Sequence, residues 1–106
     1  MAGGYGTVMI GRLAVPFAEM EQAVRAWVVD RQVPGFRHED LMLCDDGVTV
    51  VMAVHFDSAE EYRALADDPA QSEWFETVAR PMIDGEPQWW DGTWRSCITP
   101  FSRRMP

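Results

Sequence analysis

His55 ends the apolar run "VTVVMAVHF" (48–56), and Tyr62 follows in "SAEEYRAL" (58–65). An imidazole titrates near neutral pH and could take a proton from a bound substrate. A tyrosine hydroxyl placed nearby could orient a substrate phenol or carbonyl. Trp27, Leu65, Trp74, Phe75, Val78 and Met82 recur at helical spacing and could wall a planar aromatic pocket. Each of these residues also has a plainer role. His55 could be a structural histidine bonded across strands or at an interface, Tyr62 a core aromatic, and the large apolar residues simple core.

His38 shares a strand face with Asp40, Met42 and Cys44. A metal site from His38, Cys44 and His55 is conceivable, but the spacing matches no known ligand pattern, so no metal is expected. Cys44 and Cys97 form neither a Cys-x-x-Cys pair nor a disulfide framework and read as reduced thiols. There is no Gly-x-Ser-x-Gly, no phosphate loop, no dinucleotide fingerprint and no His-Glu-x-x-His. No cofactor is expected. Arg12 lies inside an apolar strand. It could hold an anionic substrate group, but an interface role with an acidic partner such as Asp91 is preferred.

The elements that must position these groups follow from hydrophobic periodicity. "TVMIGRLAV" (7–15) reads as the first strand, after a Gly-rich arm. Pro16 starts a helix over 17–32, and "VPG" (33–35) stops it. "FRHEDLMLC" (36–44) and "VTVVMAVHF" (48–56) are strands joined by a "DDG" hairpin turn. "SAEE" (58–61) is a capping box, and "DDP" (67–69) breaks and restarts the helix. "DGEP" (84–87) ends it, and a last strand runs over about 89–97. Within "QWWDGTW" (88–94), alternation puts Trp90 and Trp94 on one face and Trp89 on the other. The pair is assigned to dimer and core packing, with Arg12 beside it.

The order β-α-β-β-α-β, with right-handed crossovers, predicts an α+β fold. This is the ferredoxin-like plait: an antiparallel four-stranded sheet with helices on one face. The third strand is apolar on both faces, so the uncovered sheet face should meet a partner, most simply a second copy. One domain over 1–98 and a tail over 99–106 account for the chain. The net charge is −8, with ten acidic residues against Arg63 and Arg80 between 57 and 91. That charge disfavours phosphate backbones and argues against a nucleic-acid binder. All nine basic residues are arginine. No leader or membrane span is legible, so a cytoplasmic protein is expected.

The "PGF" turn (34–36), the strand "VTVVMAVHF", its junction "FDSAEEYRAL" (56–65) and the following "DDPAQSEWFETV" resemble the antibiotic biosynthesis monooxygenase-like family of dimeric α+β barrels. The resemblance spans about residues 7–96. It implies a homodimer with one ligand cavity per subunit, between the sheet and its own helices. It also implies oxygenation of a small aromatic substrate (a phenol, hydroquinone or polyketide-type ring) without flavin or metal, the substrate supplying the electrons. A non-catalytic ligand-binding or regulatory dimer and a small isomerase or cyclase are the alternatives. The haem-degrading branch of the family carries an Asn, a Trp and a His that this sequence replaces, at Gly11, at Leu65 and at or beside Phe75.

Overall fold

The computed structural model describes residues 4–101. Four strands, β1 (Gly4–Leu13), β2 (Phe36–Leu43), β3 (Thr49–Phe56) and β4 (Ile83–Trp94), form one sheet. Its order is β2-β3-β1-β4, and every neighbouring pair is antiparallel. Helices α1 (Phe17–Arg31), α2 (Ala59–Ala66) and α3 (Pro69–Trp74) complete the expected plait.

Local chemistry explains most of the boundaries. The Asp46 carboxylate accepts from the backbone N–H of Val48 and Thr49 and from the Thr49 hydroxyl, at 3.0, 2.8 and 2.6 Å. Gly47 sits at φ 77°, a conformation that only glycine adopts at little cost. Ser58 Oγ accepts from Glu61 N–H at 3.2 Å, capping α2, and its hydroxyl donates to the Glu61 carboxylate at 3.1 Å. Asp68 caps α3, and Pro69 occupies its first turn.

Three expectations need correction. β1 begins at Gly4 rather than residue 7, so Gly4 to Gly6 belong to the sheet and not to a loose arm. β4 begins at Ile83 rather than 89 and ends at Trp94. The "DGEP" segment therefore lies within this strand, where the pairing with β1 shifts register between Ile10 and Arg12 and Gly85 adopts φ 81°. After α3 the chain tightens irregularly. Phe75–Ala79 form a π-helical turn and Arg80–Met82 a 3₁₀ turn, and the Arg80 N–H donates to the Phe75 carbonyl. Residues 95–101 carry no strand, and Arg103 and Arg104 of the tail lie outside the described residues.

The helices cover one sheet face. Met9, Leu13, Val50 and Ile83 from the strands meet Met20 and Val24 of α1 and Met82 in a common core. Each such side chain, fully buried, contributes about 1.5–3 kcal/mol. The opposite face is open. It carries the other parity of each strand: Val8 and Ile10, Val51 and Ala53, Met42, Trp90 and Trp94. Met42 and Trp90 are 55% and 53% exposed.

Candidate functional site

A cavity of about 410 Å³ lies between the sheet and the helices. The sheet supplies its floor. Thr7 and Met9 of β1, Val54 and Phe56 of β3, and Trp89 of β4 all point to the helix side. The helical half supplies the walls, through Trp27, Leu65, Trp74, Phe75 and Met82, five of the six residues predicted to line a pocket. Val78 is the exception and is 37% exposed. A regular helix would carry the stripe through Val78, but the i→i+5 turn at 75–79 rotates the chain and buries Ala79 in its place. The aromatic rings brace one another. Trp27 packs edge-on to Phe36 at 5.5 Å and lies 6.0 Å from Trp74, and Phe75 lies 5.7 Å from Trp89. The Trp27 indole N–H donates to Gln71 Oε1 at 2.9 Å, which fixes that ring.

Tyr62 also lines the cavity. Its hydroxyl donates to Asp91 Oδ1 on β4 at 3.0 Å. Burial, with the nearby Asp91 carboxylate adding to it, pushes the phenol up to about 12, so it stays protonated at any ordinary pH. Asp91 is thereby engaged on the helix side and does not meet Arg12. Arg12 instead lies 3.7 Å from Asp84, and both side chains are exposed.

His55 is not in the cavity. Its strand neighbours Val54 and Phe56 face the helices, so alternation turns His55 to the open face. There its ring is stacked between His38 and Trp94, with centroids 4.1 Å away on either side. The space comes from Gly6, where a Cβ would collide with the Val54 carbonyl and the Trp94 indole. The Trp94 N–H crosses over Gly6 to donate to Val54 O at 3.2 Å. Burial, and then the neighbouring His38, lower the His55 pKa against the opposing pull of Asp40.

Asp40 Oδ2 lies 3.6 Å from His38 Nε2 and 3.5 Å from His55 Nε2. Among the described residues this is the one group of donors close enough to share an ion, and Cys44 has no part in it. The imidazole planes are only 18° apart, so their lone pairs run side by side instead of converging. The cluster has the geometry of a stack bridged by a carboxylate.

Among the cavity residues that sequence reading overlooked is a carboxylate, Glu39. It pairs with Val54 across β2 and β3 and shares parity with Leu41 and Leu43. That shared parity was the available signal: a carboxylate on the strand face that carries Leu41 and Leu43. Burial, reinforced by Asp40 next to it, pushes Glu39 up to about 7.

No family model matches the sequence, and no curated protein sequence matches it. Solved structures do. The chain is similar to a monooxygenase from the gene ActVA-Orf6 of Streptomyces coelicolor, solved in complex with nanaomycin D. Identity is 27%, coverage is 92% of both chains, and the TM-score is 0.70. It is similar in fold to SnoaB, a cofactor-independent oxygenase from Streptomyces nogalater, at 18% identity over 93% of this chain and 98% of that one, TM-score 0.68. A hydroxynitrile lyase from Passiflora edulis shares the fold at 10% identity over 91% of this chain and 97% of that one, TM-score 0.65. The plait, the aromatic cavity between sheet and helices, and a monooxygenase matched along nearly the whole chain agree: the chain resembles the antibiotic biosynthesis monooxygenase-like family.

Proposed function

We propose that the protein is a cofactor-independent monooxygenase that oxidises a small aromatic substrate, a phenol, hydroquinone or polyketide-type ring, in the helix-side cavity. The observation that carries this reading is the cavity itself. About 410 Å³ walled by Trp27, Trp74, Phe75 and Trp89 suits a flat, fused-ring molecule. Leu65 and Met82 fill the remaining wall, and the Tyr62 oxygen can accept a hydrogen bond from a substrate hydroxyl.

The reaction needs proton removal followed by electron transfer. Loss of a proton leaves an electron-rich aromatic anion, which gives one electron to dioxygen. The resulting radical pair combines to a peroxide, and loss of water leaves a carbonyl. Overall, a ring methylene and one dioxygen become a ring ketone and one water, all electrons coming from the substrate. The apolar walls favour this course by limiting bulk water at the anion.

Oxygen uptake with a panel of hydroquinones and anthrones tests the reading. Wild type should consume one dioxygen per product, and Trp74→Ala should raise KM. Binding without turnover would replace it with a ligand-binding or regulatory role. Turnover without oxygen uptake would replace it with a lyase, isomerase or cyclase that uses the proton-transfer step alone, a chemistry in keeping with the hydroxynitrile lyase of the same fold. We propose also that a second copy covers the open sheet face, with Arg12, Trp90 and Trp94 at the interface. The support is the apolar Val8, Ile10 and Val51 there and the exposure of Met42 and Trp90. Sedimentation of a single-chain species at micromolar concentration would overturn that part.

A further inference from the structure

One half-buried carboxyl of the cavity, Glu39, has no part in the proposed oxidation. Glu39 reaches the helix side from β2, while its neighbours His38 and Asp40 belong to the open face. The other charged or titratable residues lining the cavity are Tyr62, Glu76 and Arg80. Arg80 is the single cation of that lining, and it is already held by Glu76 at 3.1 Å and Glu86 at 2.9 Å. Among the described residues no ion pair reaches Glu39. Tyr62 stays neutral and directs its proton to Asp91. A carboxyl in an apolar cavity without a countercharge costs folding stability, and nothing in the packing of the core requires it there.

We infer that Glu39 is the proton acceptor of this cavity and that its substrate is a neutral hydroxyaromatic with an acidic C–H or O–H, not a carboxylated one. The inference rests on the oxygenase reading for the steps after proton removal, but not for the removal itself. In that first step, the substrate C–H or O–H bond breaks and its electron pair stays on the ring. The proton forms an O–H bond on the Glu39 carboxylate. After electron transfer to dioxygen and combination of the radicals into a C–O bond, that proton passes to the outer peroxide oxygen and restores the carboxylate; the remaining C–H and the O–O bond then break together, so that water leaves and the carbonyl forms. Burial holds this carboxyl near the pH at which a base is both available and strong enough to act. The same lack of a free cation repels an anionic substrate, since a second carboxylate would join Glu39 and Glu76 in one apolar space.

The experiment compares wild type with Glu39→Gln and Glu39→Asp, using an anthrone as the probe and circular dichroism to verify folding. Steady-state oxygen uptake for Glu39→Gln should show kcat lower by at least about 100-fold with KM changed by less than about threefold. Wild-type kcat should rise to a plateau with an inflection near 7, and the residual rate of the variant should climb with pH without that plateau. Glu39→Asp should recover part of the rate. A carboxylated anthrone should bind wild type about tenfold more weakly than the neutral parent, a gap that Glu39→Gln should narrow.

Deuterium exchange into the anthrone methylene, in D2O without oxygen, isolates proton removal from oxidation. Wild type should accelerate it and Glu39→Gln should not. Exchange at the wild-type rate in Glu39→Gln overturns the inference whatever oxygen uptake shows. Exchange that depends on Glu39, in a protein that consumes no oxygen, overturns the oxygenase reading and leaves Glu39 as the base. Absence of exchange in wild type overturns the inference outright.

Discussion

Trp89 and Trp90 are adjacent in the chain and stand on opposite faces of one sheet. Trp89 faces the helices at the edge of a cavity, against Phe75, while Trp90 lies on the open face and is 53% exposed. The same division separates Glu39 from His38 and Asp40. On the helix side, desolvation holds the Glu39 carboxyl near neutrality. On the open side, two imidazoles and an indole stack in a row, with Asp40 bridging the histidines. What a side chain can do chemically therefore depends on which face it occupies. The carboxyl on the helix side is desolvated and held near neutrality, while a histidine, the more familiar base, is occupied in packing where the sheet is open.

Substitutions on the two faces should differ accordingly. Phe56 is fully buried on the helix side, and Phe56→Ala should cost about 3–5 kcal/mol in urea unfolding. A cost below about 1 kcal/mol would mean that the helix side is not a closed core.

Glu39→Gln separates stability from pH. The folded-state pKa of Glu39 lies above its ordinary 4.5, so its favourable contribution is complete below that pH and is lost as pH rises through about 7. The uncharged variant should equal wild type at pH 4 and exceed it at pH 8 by no more than about 3 kcal/mol. Equal differences at both pH values would show that the carboxyl is not desolvated.

Gly6→Ala tests the open face from beneath. Its Cβ would strike the Val54 carbonyl and the Trp94 ring, so β1 must shift, at a cost of about 1–3 kcal/mol. A neutral result would mean that the Trp94 ring does not cross β1. Trp94→Phe should have the smallest effect, about 1 kcal/mol, from loss of the indole hydrogen bond to Val54. It should leave anthrone binding in the cavity unchanged. A change in binding would couple the two faces.

Much of the fold is legible in local patterns. The "DDG" turn, the Ser58 cap and the Asp68–Pro69 restart each satisfy their hydrogen bonds within a few residues, so residue type alone announces them. Five of the six predicted pocket residues line the cavity, because the buried stripe of a regular helix follows from its period. The failures arise where a local period breaks. The π turn at 75–79 moved burial from Val78 to Ala79. His55 was assigned from its place near the end of β3, next to the helix junction, but place along a strand does not select a face.

The sequence by itself determined the order of the elements, their caps and turns, and the division of each strand into two alternating sets. It determined that His38, Asp40 and Met42 share one side of β2, and that Glu39 and Leu41 share the other. Only the tertiary structure decided which set meets the helices, and with it that Glu39 rather than His55 enters the cavity. The reason is physical. Alternation is fixed by backbone geometry within one strand, but the buried face is fixed by non-local packing, and moving the pairing by one residue would exchange every side chain between core and solvent.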